Sequence, residues 1–435
     1  MNPFCGKFHE CNWISVDNFN GENLNSNVFF LSHCHSDHMQ GLNSDQFYQL
    51  IANKCSVLYC HRISIVLLNS DTCYRRLVVR IEIYIKMVKE HIVVKDYNEK
   101  FIVSGSGTDT EQKMLLPSSS ASVTFLDAQH IPGSVIFYIS GLICFTRIFF
   151  EFDCGLKLLY TGDYRLSKDD WIACETLKDP FSSSGFKRLD ALYFDNTFCC
   201  KQFRKLPTPR QSCLLCVEMV RKWLQKDPIN KVLLWCDRYF KIEKLLRLAR
   251  KLSGKYGHEL FLKAIWDELG IKCHVTMAKY RVYSSIDLYV DCVTPIARDT
   301  RVHACTTKPD QSEEAFYEDN QSMVFKRKNE TIFKQEISTC WQCRPDAEHV
   351  LVIRPSAIWF LRRNEKNVLG YENGRFCRLL YSGHSSLAEV EDTFKLLKPV
   401  HAFPNTTSKR NKNHANKLIK YLMYSSASYV KSFLD

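Results

Sequence analysis

Through the first two hundred positions the apolar residues fall in short runs, at 28–32, 56–60, 122–126, 134–138, 158–161 and 191–194, each bounded by polar or turn-forming residues. Runs of four or five apolar positions are too short for helices and predict the strands of a sheet. Beyond about residue 200 the spacing changes. Thr208, Pro209 and Gln211 supply an N-cap, a first-turn proline and a capping-box partner, after which Leu214, Val217, Val220 and Leu224 predict one apolar helix face. A strand over 232–235, helices near 242–252 and 259–269, and strands near 272–275 and 300–304 follow, so the middle of the chain predicts an alternating α/β unit. Ser386 with Glu389 marks a further helix start. The polar stretch 308–338, with Lys326, Arg327 and Lys328, predicts a solvated loop, a nucleic-acid contact being the alternative. The serines at 118–120 and 182–184 predict linkers.

The first of these runs leads directly into His33, Cys34, His35, Ser36, Asp37 and His38. Extended backbone alternates its side chains, so His33 and His35 share a face at a strand exit and can share an ion. Asp37 and His38 follow where the chain turns near Gly41 and can face a neighbouring ion. Imidazole with carboxylate suits zinc, manganese or iron. Zinc-finger spacing is absent, because no cysteine lies two to four residues from Cys34. Three other predicted strands end close to a potential ligand: His130, Asp163 and Asp195. Functional groups on loops held by a rigid sheet suit a hydrolytic site.

Composition narrows the setting. A chain of 435 residues, 45% hydrophobic, suits two domains. A formal charge of +12 favours a polyanionic partner such as nucleic acid, although solubility accounts for part of it. Twenty cysteines scattered over so long a chain fit a reducing interior better than a secreted disulfide scaffold. The first thirteen residues carry no apolar core of signal-peptide length, so secretion is not expected. The apolar stretch 134–150 is broken by Gly141 and Arg147, and no membrane span is expected.

HCHSDH (33–38), QHIPGS (129–134), TGDYR (161–165), DNTFC (195–199), VHAC (302–305) and YSGHSS (381–386) occur in one order along the chain. That ordered set resembles the metallo-β-lactamase nucleases carrying a β-CASP domain, the cross-link-repair group, over about residues 13–405. The resemblance implies an α/β fold, an αβ/βα sandwich with an inserted α/β β-CASP domain. The expected division is 1–196 for the first part of the metallo-β-lactamase domain, 197–380 for the β-CASP domain and 381–435 for the return segment. The family usually has Asp-Thr-Thr where this chain has Asp195, Asn196 and Thr197, and usually Gly or Asn where it has Gln129. Extra residues stand near 142–153 and between 236 and 255.

By resemblance, His33, His35, His130 and Asp163 hold one ion, Asp37, His38, Asp163 and His384 hold the other, and Asp163 bridges. Asp37, Asp163 and Asp195 are the catalytic candidates, with Asp195 an orienting carboxylate or a base. The cofactor expected is Zn2+, one or two ions, with Mg2+ or Mn2+ as alternatives. A structural Zn2+ is implied at His274, His303, Cys305 and Cys340, Cys343 competing for the last place. Arg354, Ser356, Ser382 and Lys255 are candidates for substrate phosphate. The implied function is a DNA nuclease, endonuclease or 5′ exonuclease, in double-strand-break end processing or cross-link repair in the nucleus. An RNA-processing nuclease, a small-molecule metallohydrolase and an inactive repair scaffold stay open as alternatives. The expected partner is DNA, with DNA-dependent protein kinase or a ligase complex left open because the long polar C-terminal tail of the most similar subgroup is missing. A monomer is expected.

Overall fold

The computed structural model describes residues 4–53, 56–71, 73–74, 91–105, 120–142, 155–236, 256–305, 323–327, 330–335, 348–363, 367–372, 374–406 and 412–426. Two compact units divide them, one from Met1–Lys205 and Gly383–Asp435, the other from Leu206–Lys241 and Gly254–Ser382.

The first unit opens with β1 (Lys7–Phe8), β2 (Cys11–Val16), β3 (Val28–Leu31), β4 (Val57–His61) and β5 (Ile92–Lys95), which form one sheet in that order, parallel from β2 onward. All four residues of β3, Val28, Phe29, Phe30 and Leu31, are buried, as a strand covered on both faces requires. A second sheet takes β6 (Lys100–Ser104), β7 (Ser120–Asp127), β8 (Val135–Leu142), β9 (Leu156–Tyr160) and β10 (Ala191–Phe194). Val28, Phe30, Phe125, Phe137, Tyr160 and Tyr193 pack between the two sheets in one apolar core. Burying each such side chain is worth roughly 1.5–3 kcal/mol. A second core on the far face of the β6–β10 sheet joins Leu159, Trp171, Phe194, Val390 and Phe394.

The second unit contains β11 (Lys231–Leu234), β12 (Cys273–His274), β13 (Val293–Thr294), β14 (Val302–His303), β15 (Met323–Arg327), β16 (Glu330–Gln335), β17 (Val350–Pro355), β18 (Leu369–Glu372) and β19 (Phe376–Leu379). Seven of them form a sheet in the order β13-β12-β14-β11-β17-β19-β18, parallel except at β18. Back in the first unit, β20 (His401–Pro404) pairs in parallel with β10. Mixed sheets with covering helices, two of them sharing a core, agree with the expected α/β sandwich.

Helix starts follow the sequence closely. Pro209–Lys226 carries the Thr208–Gln211 capping box and Leu387–Leu397 the Ser386–Glu389 one. Glu259–Leu269 is helical as expected. Several details differ. Leu214 is 42% exposed, and the buried face of its helix runs through Cys213, Val217, Val220 and Leu224. Arg62–Ser70 is a helix although its sequence, RISIVLLNS, is rich in β-branched residues. It lies between the parallel strands β4 and β5, and a parallel pair needs a crossover, commonly helical, which overrides local propensity. Part of the polar stretch 308–338 is the antiparallel pair β15 and β16, because Val324, Phe325, Thr331, Ile332 and Phe333 favour strand where overall composition suggests loop. Ser120 begins β7 and is not a linker. The insertion 142–153 past Leu142, the segment 237–255 and the helix expected at 242–252 lie outside the described residues.

Candidate metal centre

β7, β9 and β10 run in one direction, so their carboxyl ends deliver His130, Asp163 and Asp195 to one edge of the sheet. β3 delivers His33 to the same place from the other sheet, since Val135 N–H donates to the Ser32 carbonyl at 2.9 Å. Gly162 makes the approach possible: it sits at φ +55°, and a Cβ there would meet Ser32 Oγ at 2.9 Å.

Four side chains converge. His33 Nε2 and His130 Nε2 each lie 3.1 Å from His35 Nδ1, and both lie 3.6 Å from Asp163 Oδ2. All four residues are buried. A second convergence joins Asp163, Asp195 and His384. His38 Nε2 stands 3.3 Å from Asp163 Oδ1, so Asp163 faces both groups.

The far ring nitrogens fix which nitrogens are free to bind. His130 Nδ1 is 2.7 Å from the Gly383 carbonyl, which can only accept, so Nδ1 carries the proton and Nε2 keeps its lone pair. His38 Nδ1 donates to Asp17 Oδ2 at 2.8 Å and His384 Nδ1 to Asp195 Oδ2 at 2.7 Å. Ser32 Oγ gives its hydrogen to Asp17 at 2.6 Å, leaving His33 Nδ1, 3.0 Å away, to donate to Ser32 Oγ. Nε2 of His33 and His130 is therefore lone-pair-bearing and directed at a carboxylate or another imidazole, and Nε2 of His38 faces Asp163. Such a set fits a cation, and the outward hydrogen bonds are those that orient metal-binding histidines.

The surrounding carboxylates favour positive charge at this place. Burial alone would lower His38, but Asp163 and Asp17 outweigh it and hold His38 well above the usual imidazole range. Burial would raise Asp163, yet His38 and His384 hold it well below the usual carboxylate range. Burial would raise Asp37 as well, yet the surrounding positive groups, led by His38 and joined by His35, together hold it below the usual carboxylate range. Burial and then His384 push His130 well below the ordinary value.

In the second unit, parallel pairing sets His274 beside His303 on neighbouring strands, their Nδ1 atoms 3.2 Å apart. With Cys305 they form another buried group able to hold an ion. Cys340, Cys343 and Lys255 lie outside the described residues. Arg354 stacks its guanidinium 4.1 Å from the centre of the Trp235 ring, Ser356 Oγ accepts from Trp359 N, and Ser382 is buried.

Residues 294–410 match the family model described as DNA repair metallo-beta-lactamase. The chain is 29% identical to protein artemis of Rattus norvegicus over 414 residues, covering 93% of this chain and 49% of that protein. Protein artemis of Homo sapiens gives the same identity over 410 residues and the same coverage. The 5' exonuclease Apollo of Rattus norvegicus is 28% identical over 46% of this chain and 28% of its own length. The likeness to the artemis proteins runs through 93% of this chain. It spans about half the length of the artemis proteins it matches.

The geometry adds residues that the sequence pattern did not reveal. Asp17, wholly buried at φ +56°, accepts from Ser32 N, Ser32 Oγ, His38 Nδ1 and Tyr160 OH. A lone Asp after a strand reads as a turn former, and only the four donors reveal its place. The two departures from the family pattern have physical readings. Gln129 stands at φ +51°, where Gly or Asn sits at least cost. Asn196 ties the loop after β10 to Thr406, accepting from its N–H and hydroxyl and donating Nδ2–H to its carbonyl at 3.1 Å.

Proposed function

We propose that this chain is a metal-dependent DNA nuclease that hydrolyses phosphodiesters in double-strand-break end processing or cross-link repair, in the nucleus. The observation that carries the reading is the convergence of His33, His35, His130 and Asp163, with Asp163 turned also toward His38 and His384. The likeness to artemis proteins and to Apollo, a 5' exonuclease by name, supports nucleic-acid chemistry at that site.

His33, His35, His130 and Asp163 would hold one ion and Asp37, His38, Asp163 and His384 another, zinc being the metal the donor set suits best. Bound there, the ions would supply Lewis acidity and a lowered pKa for water next to the phosphate. Asp17 and Asp195 hold the rings of His38 and His384 by their Nδ1 protons, and burial of the donor set excludes bulk water from it. Asp195 Oδ1 is occupied by Thr197 N at 2.8 Å and Thr197 Oγ1 at 2.6 Å, which favours the orienting role over that of a base. His274, His303 and Cys305, with Cys340, would hold a structural zinc in the second unit. Arg354, Ser356, Ser382 and Lys255 are the candidates for the DNA backbone. The net charge of +12 makes binding salt-sensitive.

End-labelled hairpin, overhanging and single-stranded DNA, beside matched RNA, tests the reading with wild type and Asp37→Ala in parallel. DNA cutting lost in Asp37→Ala supports it, and internal or terminal products assign endonuclease or exonuclease action. RNA cut in preference to DNA, or cutting undiminished in Asp37→Ala, refutes it.

A further inference from the structure

His130 and His384 stand 254 positions apart, and the loop holding one must be registered against the segment holding the other. Two consecutive carbonyls of that segment do the work: Gly383 O accepts from His130 Nδ1 at 2.7 Å, and His384 O accepts from Arg165 Nη1 at 3.1 Å. Gly383 is pressed against the imidazole, since a Cβ there would lie 3.0 Å from His130 Nδ1.

Arg165 is 2% exposed. Its Nε lies 3.0 Å from both carboxylate oxygens of Glu389, and its N–H donates to the Ala128 carbonyl at 2.9 Å, two residues before His130. Glu389 Oε2 also accepts from Ser386 N at 2.7 Å and Ser386 Oγ at 2.8 Å, capping the helix Leu387–Leu397. Ser385 N–H donates to the Tyr164 carbonyl at 2.9 Å. One residue therefore joins four places: the Arg165 N–H ties its own loop after β9 to the loop after β7, and its guanidinium holds the segment at 383–386 and the cap of the following helix. A buried Arg needs a partner carboxylate, and its planar fork can serve a carboxylate and a carbonyl together, which an ammonium point charge does less well.

We propose that Arg165, clasped by Glu389, is the positioning residue that closes the metal centre, setting His384 through its carbonyl and His130 through the neighbouring peptide. The proposal rests on the metal-centre reading of the site. Arg165 touches neither metal nor substrate; it acts through the backbone of residues that would. Closing the site in this way couples the two ion positions, because the same two-residue segment orients a ligand candidate of each.

The test uses the full chain as Arg165→Lys, which keeps the charge without the fork, and as Glu389→Gln, which removes the charge while Gln still serves as a capping-box partner. Thr393→Val is the control: it disturbs the same helix by removing the hydroxyl that accepts from Trp171 Nε1, leaving the clasp intact. Two readouts are taken on folded protein, hydrogen exchange of segment 383–386 without metal, and a Co2+ titration followed by visible absorption. Both clasp variants are expected to exchange at least about tenfold faster across that segment and to bind Co2+ about tenfold more weakly with altered absorption bands, in the range seen when groups behind a metal ligand are removed. Thr393→Val should keep the wild-type absorption bands. Unchanged exchange in the clasp variants overturns the proposal, and so does wild-type Co2+ affinity with unaltered bands. Faster exchange in the variants with no Co2+ bound by wild type marks the failure of the metal reading instead.

Discussion

Asp17 Oδ2 and His38 Nδ1 lie 2.8 Å apart inside the protein, joining a residue of the strand β2 exit to one of the β3 exit. The same carboxylate takes Tyr160 OH at 2.8 Å and Ser32 Oγ at 2.6 Å. Asp17 thus fixes the outward nitrogen of His38 directly and that of His33 through Ser32.

Asp17→Asn keeps the shape but offers one acceptor oxygen and turns an NH2 group toward hydrogen-bond donors. Breaking a buried charged contact of this kind costs about 3–5 kcal/mol, and loss of an orienting group costs about 10–100-fold in metal affinity. Denaturant unfolding and a metal titration check both. Wild-type values in each would contradict the orienting role.

Gln129 holds a left-handed backbone next to His130, at φ +51°. Relief of that strain is worth about 1–2 kcal/mol, offset in part by the greater freedom of glycine in the unfolded chain and by loss of the Asp170 contact. Gln129→Gly should therefore match or exceed the wild type by up to about 1 kcal/mol, and Gln129→Val should fall below it. Equilibrium unfolding of the two variants gives the comparison, and the reverse order would rule the strain out.

How far the site could be read beforehand depended on distance along the chain. The run at 33–38 announces itself because alternate residues of one strand exit suffice to bring His33 and His35 together. The pairing of His274 with His303 needs the register of two strands 29 positions apart in sequence. Asp17 was illegible because its donors come from Ser32, His38 and Tyr160, and no spacing rule links them. The capping boxes at Thr208 and Ser386 were legible, each being complete within four residues, whereas the box of Ser167 with Asp170 lacks the usual Glu or Gln and was not. The helix Arg62–Ser70 was not, because a crossover between β4 and β5 decides its state and local propensity does not.

His61 is buried at the end of β4, stacked on Tyr97 with ring centres 4.1 Å apart. Burial, opposed by Asp96, lowers its pKa to about 4. The unfolded chain binds this proton below about pH 6.5, and the folded chain only below about 4. The unfolded state holds more protons within that window, so stability falls as pH drops from about 6.5 to about 4 and this contribution is flat below. His61 also caps its helix by accepting from Ile63 N, and Asn can keep that cap. His61→Asn should show a shallower loss of stability across this window than wild type, measured by urea unfolding at several pH values. Parallel curves would remove His61 from the acid response.

The most direct measurement for the account is anomalous diffraction from crystals of the zinc-loaded chain at the zinc absorption edge. A peak about 2.0–2.2 Å from His33, His35 and His130 nitrogens, with Asp163 reaching it and a second peak on the His38 and His384 side, is the predicted result. Density at the edge wavelength confined to His274, His303 and Cys305, with nothing at Asp163, would contradict it.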